Sequence, residues 1–533
     1  MSGGKPARRQ NEAFRVSMPF KILWLAVSFS GGALCAAALP PLNWNFAAFF
    51  VLLPLLWAGI HFRWGFRLLC GWVWGLGWVV FAYNFLREIH PAVPYLLAPV
   101  LALWPAVFTL TLGFFTGLLF DRRSFSVMRR PEVPAARSVC YTLTAAALFT
   151  VLEWTRCRLF VWNDLSVTMW KLPLFMQISR LTGRYGVSFF VTCVNSAVFA
   201  LLFFRRPAIP ALSATCYPLL VCLYGFFALH RPETEGPAVK WRCALVQGDL
   251  PQQRAASADG IRNAVEVYTE ASRKLLADSP MTVIWPECAV PVPLRGSSGA
   301  SAFYRSRLAG IGCQLLIGTL DFNDAGELTN SAVLISPEGR ITGKYDKFHR
   351  VPFGEYVPFR TLLPEFLIRR FDMGRDLAPG EEIAPLVISP DIRAGTAVCY
   401  EGVFSYLAAG FARRGANVLA AVSNDVWYPR SSEPEQHLAN AVMRCVETGL
   451  PMIRCGNNGG SGVVTPRGEF VQYIGTPSAR PELLREKAAG IVEVTLSKQP
   501  PLTPAVRYEN LLAHLLLLGL IAEAALFACL PRR

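Results

Sequence analysis

The chain has 533 residues, 53% of them hydrophobic and only 17% charged, against roughly 25% charged in ordinary globular domains. The formal net charge is +15 and the mean hydropathy is +0.34. The charge deficit is concentrated in the first 230 residues and the last 25, which excludes an ordinary soluble protein and leaves a membrane protein carrying a large water-exposed insert.

Taken in chain order against the roughly 20 residues a helix needs to cross a bilayer, eight apolar stretches are expected as spans. They are Phe20–Leu39, Phe46–Ile60, Leu68–Leu86, Tyr95–Phe120, Val139–Glu153, Tyr185–Phe204, Ala208–Leu229 and Leu511–Leu530. The second and fifth are short. Small residues in "CAAALPP" near Ala38 offer a signal-cleavage alternative, but the apolar stretch before them is long for one. Basic residues gather at alternate span ends: Lys5, Arg8, Arg9 and Arg15, then Arg63 and Arg67, then Arg122, Arg123, Arg129, Arg130 and Arg137. Arg205 and Arg206 follow, and Arg532 and Arg533 close the chain. By the positive-inside rule that side is cytoplasmic, and the insert from His230 to Tyr508 lies outside. The positive charge therefore follows from topology, and no nucleic-acid partner is implied. One loop disagrees: Thr155–Arg184 should be external yet carries Arg156, Arg158, Lys171, Arg180 and Arg184, with Trp162 and Trp170. It reads as an interfacial loop against anionic headgroups. Within the spans, Asn84 and Asn195 are candidates for interhelical hydrogen bonds, while Glu523 has no evident partner.

The insert alternates β-branched runs with helix-like stretches. "KWRCALVQG", "MTVIWPE", "CQLLIGTLD", "NSAVLISPEG", "AGTAVCYEG", "ANVLAAVSND" and "PMIRCGNNG" read as buried strands. Ile261–Ala277 and Glu435–Thr448 read as helices, and "SPEG" and "TPRG" as hairpin turns. This alternation is the pattern of an α/β domain. The 14 cysteines lack the spacing of a disulfide framework and the six histidines that of a metal site.

Three strand ends carry reactive side chains. Glu287 follows an apolar run in "VIWPECAVP", Lys347 and Glu355 lie in "GKYDKFHRVPFGEYVPFR", and Cys399 ends the run in "TAVCYEG" beside Glu401. An acid, a cation and a thiol suit nucleophilic acyl transfer: the acid takes the thiol proton, and the cation favours thiolate and oxyanion. Taken singly, each has an ordinary reading as surface acid, solvated lysine or core-packed thiol.

Glu287, Lys347 and Cys399, in this order and in these contexts, resemble the Glu-Lys-Cys triad of the nitrilase superfamily. "HRVPFGEYVPFR", "VCYEGVF" and "SNDVWY", with the flanking spans, are similar to the apolipoprotein N-acyltransferase family. The resemblance implies a nitrilase-like αββα sandwich inserted before the last helix of an eight-helix transmembrane bundle. It divides the chain into a cytoplasmic basic tail (1–18), a seven-helix transmembrane domain (19–230), an extracytoplasmic catalytic domain (231–507) and a final helix with a short cytoplasmic tail (508–533). It implies transfer of a phospholipid sn-1 acyl chain, phosphatidylethanolamine being typical, through a thioester on Cys399 to the N-terminal amine of an S-diacylglyceryl-cysteine apolipoprotein. Glu287 would be the base, and Lys347, with backbone N–H groups after Cys399, would hold the oxyanion. Glu355, Tyr400 and Glu401 would support the triad, and Asn424 and Trp427 would shape the pocket. The implied enzyme is a monomer without cofactor or metal in the bacterial inner membrane, its catalytic domain periplasmic. Aromatic spans such as "GWVWGLGWVVF" suit a lateral opening for lipid, or interface anchoring alone. The sequence departs from the family at Asp249, where asparagine is usual, after the fifth span, and before the last span. A membrane-tethered amidase or hydrolase with the same triad is the alternative.

Overall fold

The computed structural model describes residues 17–89, 91–120, 134–234, 236–251, 257–296, 298–362, 364–365, 368, 376–428, 431–478, 480, 482 and 484–529. Most of the basic tail at 1–18, Arg122, Arg123, Arg129, Arg130, Arg532 and Arg533 lie outside these residues.

The first part of the chain is helical: α1 (Met18–Ala37), α2 (Leu53–His61), α3 (Trp64–Ala82), α4 (Val93–Leu101), α5 (Leu103–Leu119), α6 (Ala135–Leu159), α7 (Arg184–Phe203) and α8 (Ala208–Leu229). Among the described residues, α1, α3, the pair α4–α5, α6, α7, α8 and the last helix, Leu511–Cys529, are long and apolar enough to cross a membrane. The expected span Phe46–Ile60 is instead broken into a 3-10 turn, Asn45–Phe49, and the nine-residue α2. Pro54 lies in the first turn of α2, where its missing N–H has no intrahelical acceptor to lose. The fifth span departs in the other direction, running 25 residues and ending on Arg156 and Arg158, where cations favour a helix C-terminus.

That extension corrects the reading of the Thr155–Arg184 loop. Arg156, Arg184, Trp162 and Trp170 are buried. Arg184 pairs with Asp164 at 2.8 Å, and Arg156 donates to the carbonyls of Phe160 and Trp162 at 3.2 and 3.0 Å. Trp162 Nε1 donates to Gln436 and Trp170 Nε1 to Asn43. The α/β unit covers this part of the loop, so Arg156, Arg184, Trp162 and Trp170 meet protein groups, while Arg158 and Lys171 stay exposed. Asn195 does bridge helices: its Nδ2 donates to Ala48 O and its Oδ1 accepts from Leu52 N. Asn84 is exposed in the turn after α3. Glu523 accepts from Thr144 of α6 at 2.6 and 2.7 Å, which supplies the partner an intramembrane carboxyl needs.

The α/β unit begins with β1 (Ala238–Gln247), α9 (Ala258–Leu275), β2 (Thr282–Ile284), α10 (Gly299–Ala309), β3 (Gln314–Phe322), β4 (Leu328–Ile335) and β5 (Ile341–Asp346). It continues with β6 (Leu386–Ser389), β7 (Ile392–Val398), α11 (Ser405–Arg413), β8 (Val418–Ser423), α12 (Glu433–Thr448), β9 (Met452–Gly456), β10 (Gly462–Val464), β11 (Phe470–Val471) and β12 (Ala488–Ser497). The helix Leu511–Cys529, α13, follows. Two six-stranded sheets form, ordered β12-β1-β2-β3-β4-β5 and β11-β10-β9-β8-β7-β6. Each holds three parallel strands, β1–β3 or β7–β9, with antiparallel neighbours. Leu245, Ile284, Leu316 and Leu334 of the first sheet share one apolar core with Val418, Ala420, Met452 and Ile453 of the second. Tyr268 of α9 and Tyr304 and Leu308 of α10 cover the outer face of the first sheet together with Trp285. The result is an αββα sandwich. Both expected hairpin turns form around left-handed glycines, Gly339 at φ +82° and Gly468 at φ +86°, each closed by a hydrogen bond across the turn.

Every residue of α12 is buried, because it is wedged between the second sheet and the helical half. Gln436 Nε2 donates to the carbonyls of Pro40 and Ala82, and Glu435 accepts from Asn43. This helix is the seam that sets the strand ends of the sandwich against the membrane helices.

Candidate active site

The register of β4 on β5 pairs Ser331 with Asp346. One step on, Lys347 N donates to Asn330 O at 2.8 Å, so these two side chains start side by side at the end of the first sheet. Glu287 follows β2 after Pro286. Its chain crosses β3 so closely that a Cβ on Gly318 would lie 2.4 Å from Glu287 Cα, which explains glycine there. Cys399 comes from the second sheet. The β7–β8 ladder ends at Val398 and Val422, and the chain then turns into a 3-10 segment, Cys399–Val403. Cys399 itself has φ +51°, a left-handed conformation that costs a non-glycine residue about 1–3 kcal/mol.

These three loops converge. Lys347 Nζ lies 2.9 Å from Glu355 Oε1 and 3.4 Å from Glu287 Oε1, with the lysine only 1% exposed. Asn330 Nδ2 donates to both carboxylates at 2.7 Å, and the Glu287 carboxyl is close enough to the Cys399 thiol for each to shift the other's proton affinity. Burial pushes the Glu287 carboxyl up, partly offset by Lys347. Burial and the Glu287 charge push the Cys399 thiol well up, against Lys347. Burial alone would lower Lys347, but Glu355 and Glu287 outweigh it and hold the ammonium well above the usual lysine range. In this arrangement the thiol is protonated at rest, a carboxylate waits beside it, and a fixed cation faces the same space.

The remaining expected residues fall into two groups. Glu355 and Glu401 brace the site. Glu355 Oε2 accepts from Val351 N at 2.7 Å. Glu401 accepts from Phe348 N, His349 N, Val398 N and Tyr345 Oη, tying the loop after β5 to the Cys399 turn. Tyr400 reaches away from that turn, its hydroxyl donating to Val161 O at 3.3 Å and its ring stacking on Trp162. Asn424 is buried and accepts from Asn457 Nδ2, whereas Trp427 is 44% exposed. Sequence reasoning missed Asn330, Asp425, His437 and Arg454. Asn330 heads an apolar strand run and Asp425 sits inside "SNDVWY", but nothing in either word says what it faces.

Among the described residues, Asp425, Glu433 and His437 have ligand atoms within 4.8 Å of one another, a spacing that suits a metal. Hydrogen bonds already use part of this set: His437 Nδ1 is 3.0 Å from Asp425 Oδ1, and Arg454 is 2.5 Å from Oδ2. In the helical half, Trp74, Trp78, Trp104, Phe108 and Phe149 line a cavity with Glu153, Arg156 and Asp164. Trp74 and Trp78 are therefore bundle residues rather than interface anchors.

Two family models match the chain. "Apolipoprotein N-acyltransferase N-terminal domain" covers residues 31–197, and "Carbon-nitrogen hydrolase" covers 242–480. An apolipoprotein N-acyltransferase of Geobacter metallireducens is 34% identical over 363 residues, spanning 64% of this chain and 67% of that protein. One from Allorhizobium ampelinum is 31% identical over 481 residues, spanning 83% and 86%. The chain belongs to the apolipoprotein N-acyltransferase family. An amidase structure from Nesterenkonia sp. is 20% identical, with a TM-score of 0.32 over 49% of this chain and 91% of the amidase. Membership agrees with the joining of an apolar helical half to a carbon-nitrogen hydrolase unit, and makes this chain a multi-pass membrane acyltransferase of that family.

Proposed function

We propose that this chain acylates the N-terminal S-diacylglyceryl-cysteine of apolipoproteins, using the sn-1 acyl chain of a phospholipid such as phosphatidylethanolamine. In the first step Glu287 takes the Cys399 proton and Sγ attacks the ester carbonyl. Lys347 and a backbone N–H after Cys399 hold the oxyanion. Collapse breaks the ester C–O bond, the lysophospholipid oxygen takes the proton back from Glu287, and the acyl thioester remains. In the second step the acceptor amine attacks the thioester and passes a proton to Glu287. The C–S bond breaks and the proton returns to the thiolate. Every group needed is an amino-acid side chain or backbone amide, so the reaction calls for no cofactor.

The observation that carries this reading is the contact of the Cys399 turn with the membrane half. Tyr400, next to the nucleophile, rests on Val161 and Trp162, just past the end of α6. A thiol held beside a membrane helix suits a lipid ester better than a soluble amide. We assign residues 231–507 to the catalytic domain, on the periplasmic side of a bacterial inner membrane, acting as a monomer. Glu355, Tyr400 and Glu401 brace the triad, while Asn424 and Trp427 border the substrate pocket.

With phospholipid alone, the purified protein should accumulate a hydroxylamine-sensitive acyl adduct and release little fatty acid. Adding a diacylglyceryl-cysteinyl peptide should discharge the adduct into N-acyl peptide. Rapid fatty acid release without the peptide would instead indicate a hydrolase.

A further inference from the structure

Behind Cys399 runs a buried chain of hydrogen bonds that the two-step reaction leaves unused. His437 of α12 has Nε2 2.9 Å from the Cys399 carbonyl oxygen and Nδ1 3.0 Å from Asp425 Oδ1. Arg454 Nη2 reaches the other Asp425 oxygen at 2.5 Å. All three side chains are buried, His437 at 1% exposure. Glu433 Oε1 also faces Nδ1, at 3.8 Å.

A carbonyl oxygen only accepts, so Nε2 must carry a proton. Burial pushes the Asp425 carboxyl up, but His437 and Arg454 outweigh it and hold the group below the usual range. An ionised carboxylate also only accepts. The ring is thus anchored at both ends, Nε2 on the Cys399 carbonyl and Nδ1 on the Asp425 carboxyl.

The contact matters because of the peptide it holds. In a trans peptide the C=O and the following N–H point in opposite directions. Drawing the Cys399 carbonyl toward His437 therefore turns the Tyr400 N–H away from α12. Cys399 occupies the left-handed region at φ +51°, a conformation that persists only when its surroundings over-determine it. The His437 contact is one such constraint, applied at the carbonyl oxygen of the strained residue itself.

We propose that His437, oriented by Asp425 and Arg454, is a positioning residue that locks the Cys399–Tyr400 peptide so that the Tyr400 N–H faces the oxyanion of the tetrahedral intermediate. The proposal rests on the acyl-thioester reading and adds to it the group that aims the second oxyanion donor. His437 touches no reacting atom.

The test compares wild type, His437→Ala, His437→Gln and Asp425→Asn in full-length protein, with two reactions at Cys399. One is single-turnover acylation by a defined phosphatidylethanolamine, followed by intact mass. The other is alkylation by chloroacetamide, followed by the mass of the Cys399 peptide, which passes through no oxyanion. In His437→Ala, acylation should slow about 100-fold, the scale of losing one oxyanion donor, with half-saturation by phospholipid unchanged. Alkylation should stay close to wild type. His437→Gln should recover most of the loss, since its amide nitrogen still reaches the Cys399 carbonyl. Asp425→Asn should fall between wild type and His437→Ala. Full acylation in His437→Ala, equal loss in Ala and Gln, or alkylation falling in step with acylation would each overturn the proposal. So would stoichiometric zinc in wild type that is lost in Asp425→Asn, because Nδ1 would then be a metal ligand. If His437→Ala does not fold, the Gln and Asn variants carry the same comparison. Wild type that takes up no acyl group on Cys399 would defeat the two-step reading itself, a result distinct from a wild type and His437→Ala that acylate equally.

Discussion

Lys347 Nζ and Glu355 Oε1 lie 2.9 Å apart, closer than Lys347 lies to Glu287, at 3.4 Å. In the proposed reaction the lysine thus has a counter-charge that takes no part in proton transfer, and Glu287 is left to exchange a proton with Cys399. Losing one partner of a buried, hydrogen-bonded charge pair costs on the order of 2–5 kcal/mol.

In Glu355→Gln, Glu287 becomes the one carboxylate paired with Lys347 among the described residues. The Glu355 charge contributes to raising Glu287, so its removal should draw the Glu287 pKa down and weaken it as a base. Cys399 acylation should slow by roughly tenfold or more, with the acid limb of the pH–rate profile moved to lower pH. Stopped-flow acylation across pH reads both effects.

In the wild type, burial holds the Glu287 carboxyl above its ordinary value, against the pull of Lys347. Glu287 acts as a base only when ionised. The acylation rate should therefore rise with pH, with a midpoint above the roughly 4.3 of an unperturbed glutamate. Glu287→Gln should abolish that limb and lower the plateau by about 10²–10⁴-fold.

Burial pushes Glu401 from its ordinary 4.5 up to about 7, against the hydrogen bonds it accepts from Val398 and His349. A carboxyl raised in the folded state binds a proton more tightly there than in the unfolded chain. Its contribution to stability is complete below pH 4.5 and is lost as pH rises through about 7. The melting temperature in detergent should fall across that window, and Glu401→Gln should flatten the slope.

The parts of the fold that were legible in the sequence are those with strong local signals. β1–β4 and β7–β9 are apolar runs long enough to read alone, and Gly339 and Gly468 announce their turns. β5, "ITGKYD", and β12, "AAGIVEVTLS", carry exposed polar positions because they lie at the edges of the first sheet. Their pairing, not their composition, makes them strands. Glu287, Lys347 and Cys399, which the structure brings together, were legible as candidates because each ends or follows a recognisable run. Asn330 and His437 were not, because their significance lies in what the register of β4 and the docking of α12 bring beside them. The Thr155–Arg184 loop was misread for a related reason: Arg156 and Arg184 looked headgroup-facing until their partners, the Phe160 and Trp162 carbonyls and Asp164, were seen folded back within the loop itself.

Asp164 and Arg184, at 2.8 Å and both buried, sit at this seam. Asp164→Ala would leave the guanidinium without that partner, a loss of about 3–5 kcal/mol for a buried pair. A double variant, Asp164→Ala with Arg184→Met, should be less damaging than Asp164→Ala alone. Thermal denaturation in detergent separates the two.

The central claim is that Cys399 carries the acyl chain, and intact-protein mass after incubation with one defined phospholipid tests it most directly. Wild type should gain the mass of one fatty acid minus water, localised to Cys399 and removable by hydroxylamine, and Cys399→Ser should show no hydroxylamine-labile thioester. An unmodified wild type, or the same labile adduct in Cys399→Ser, would contradict the account.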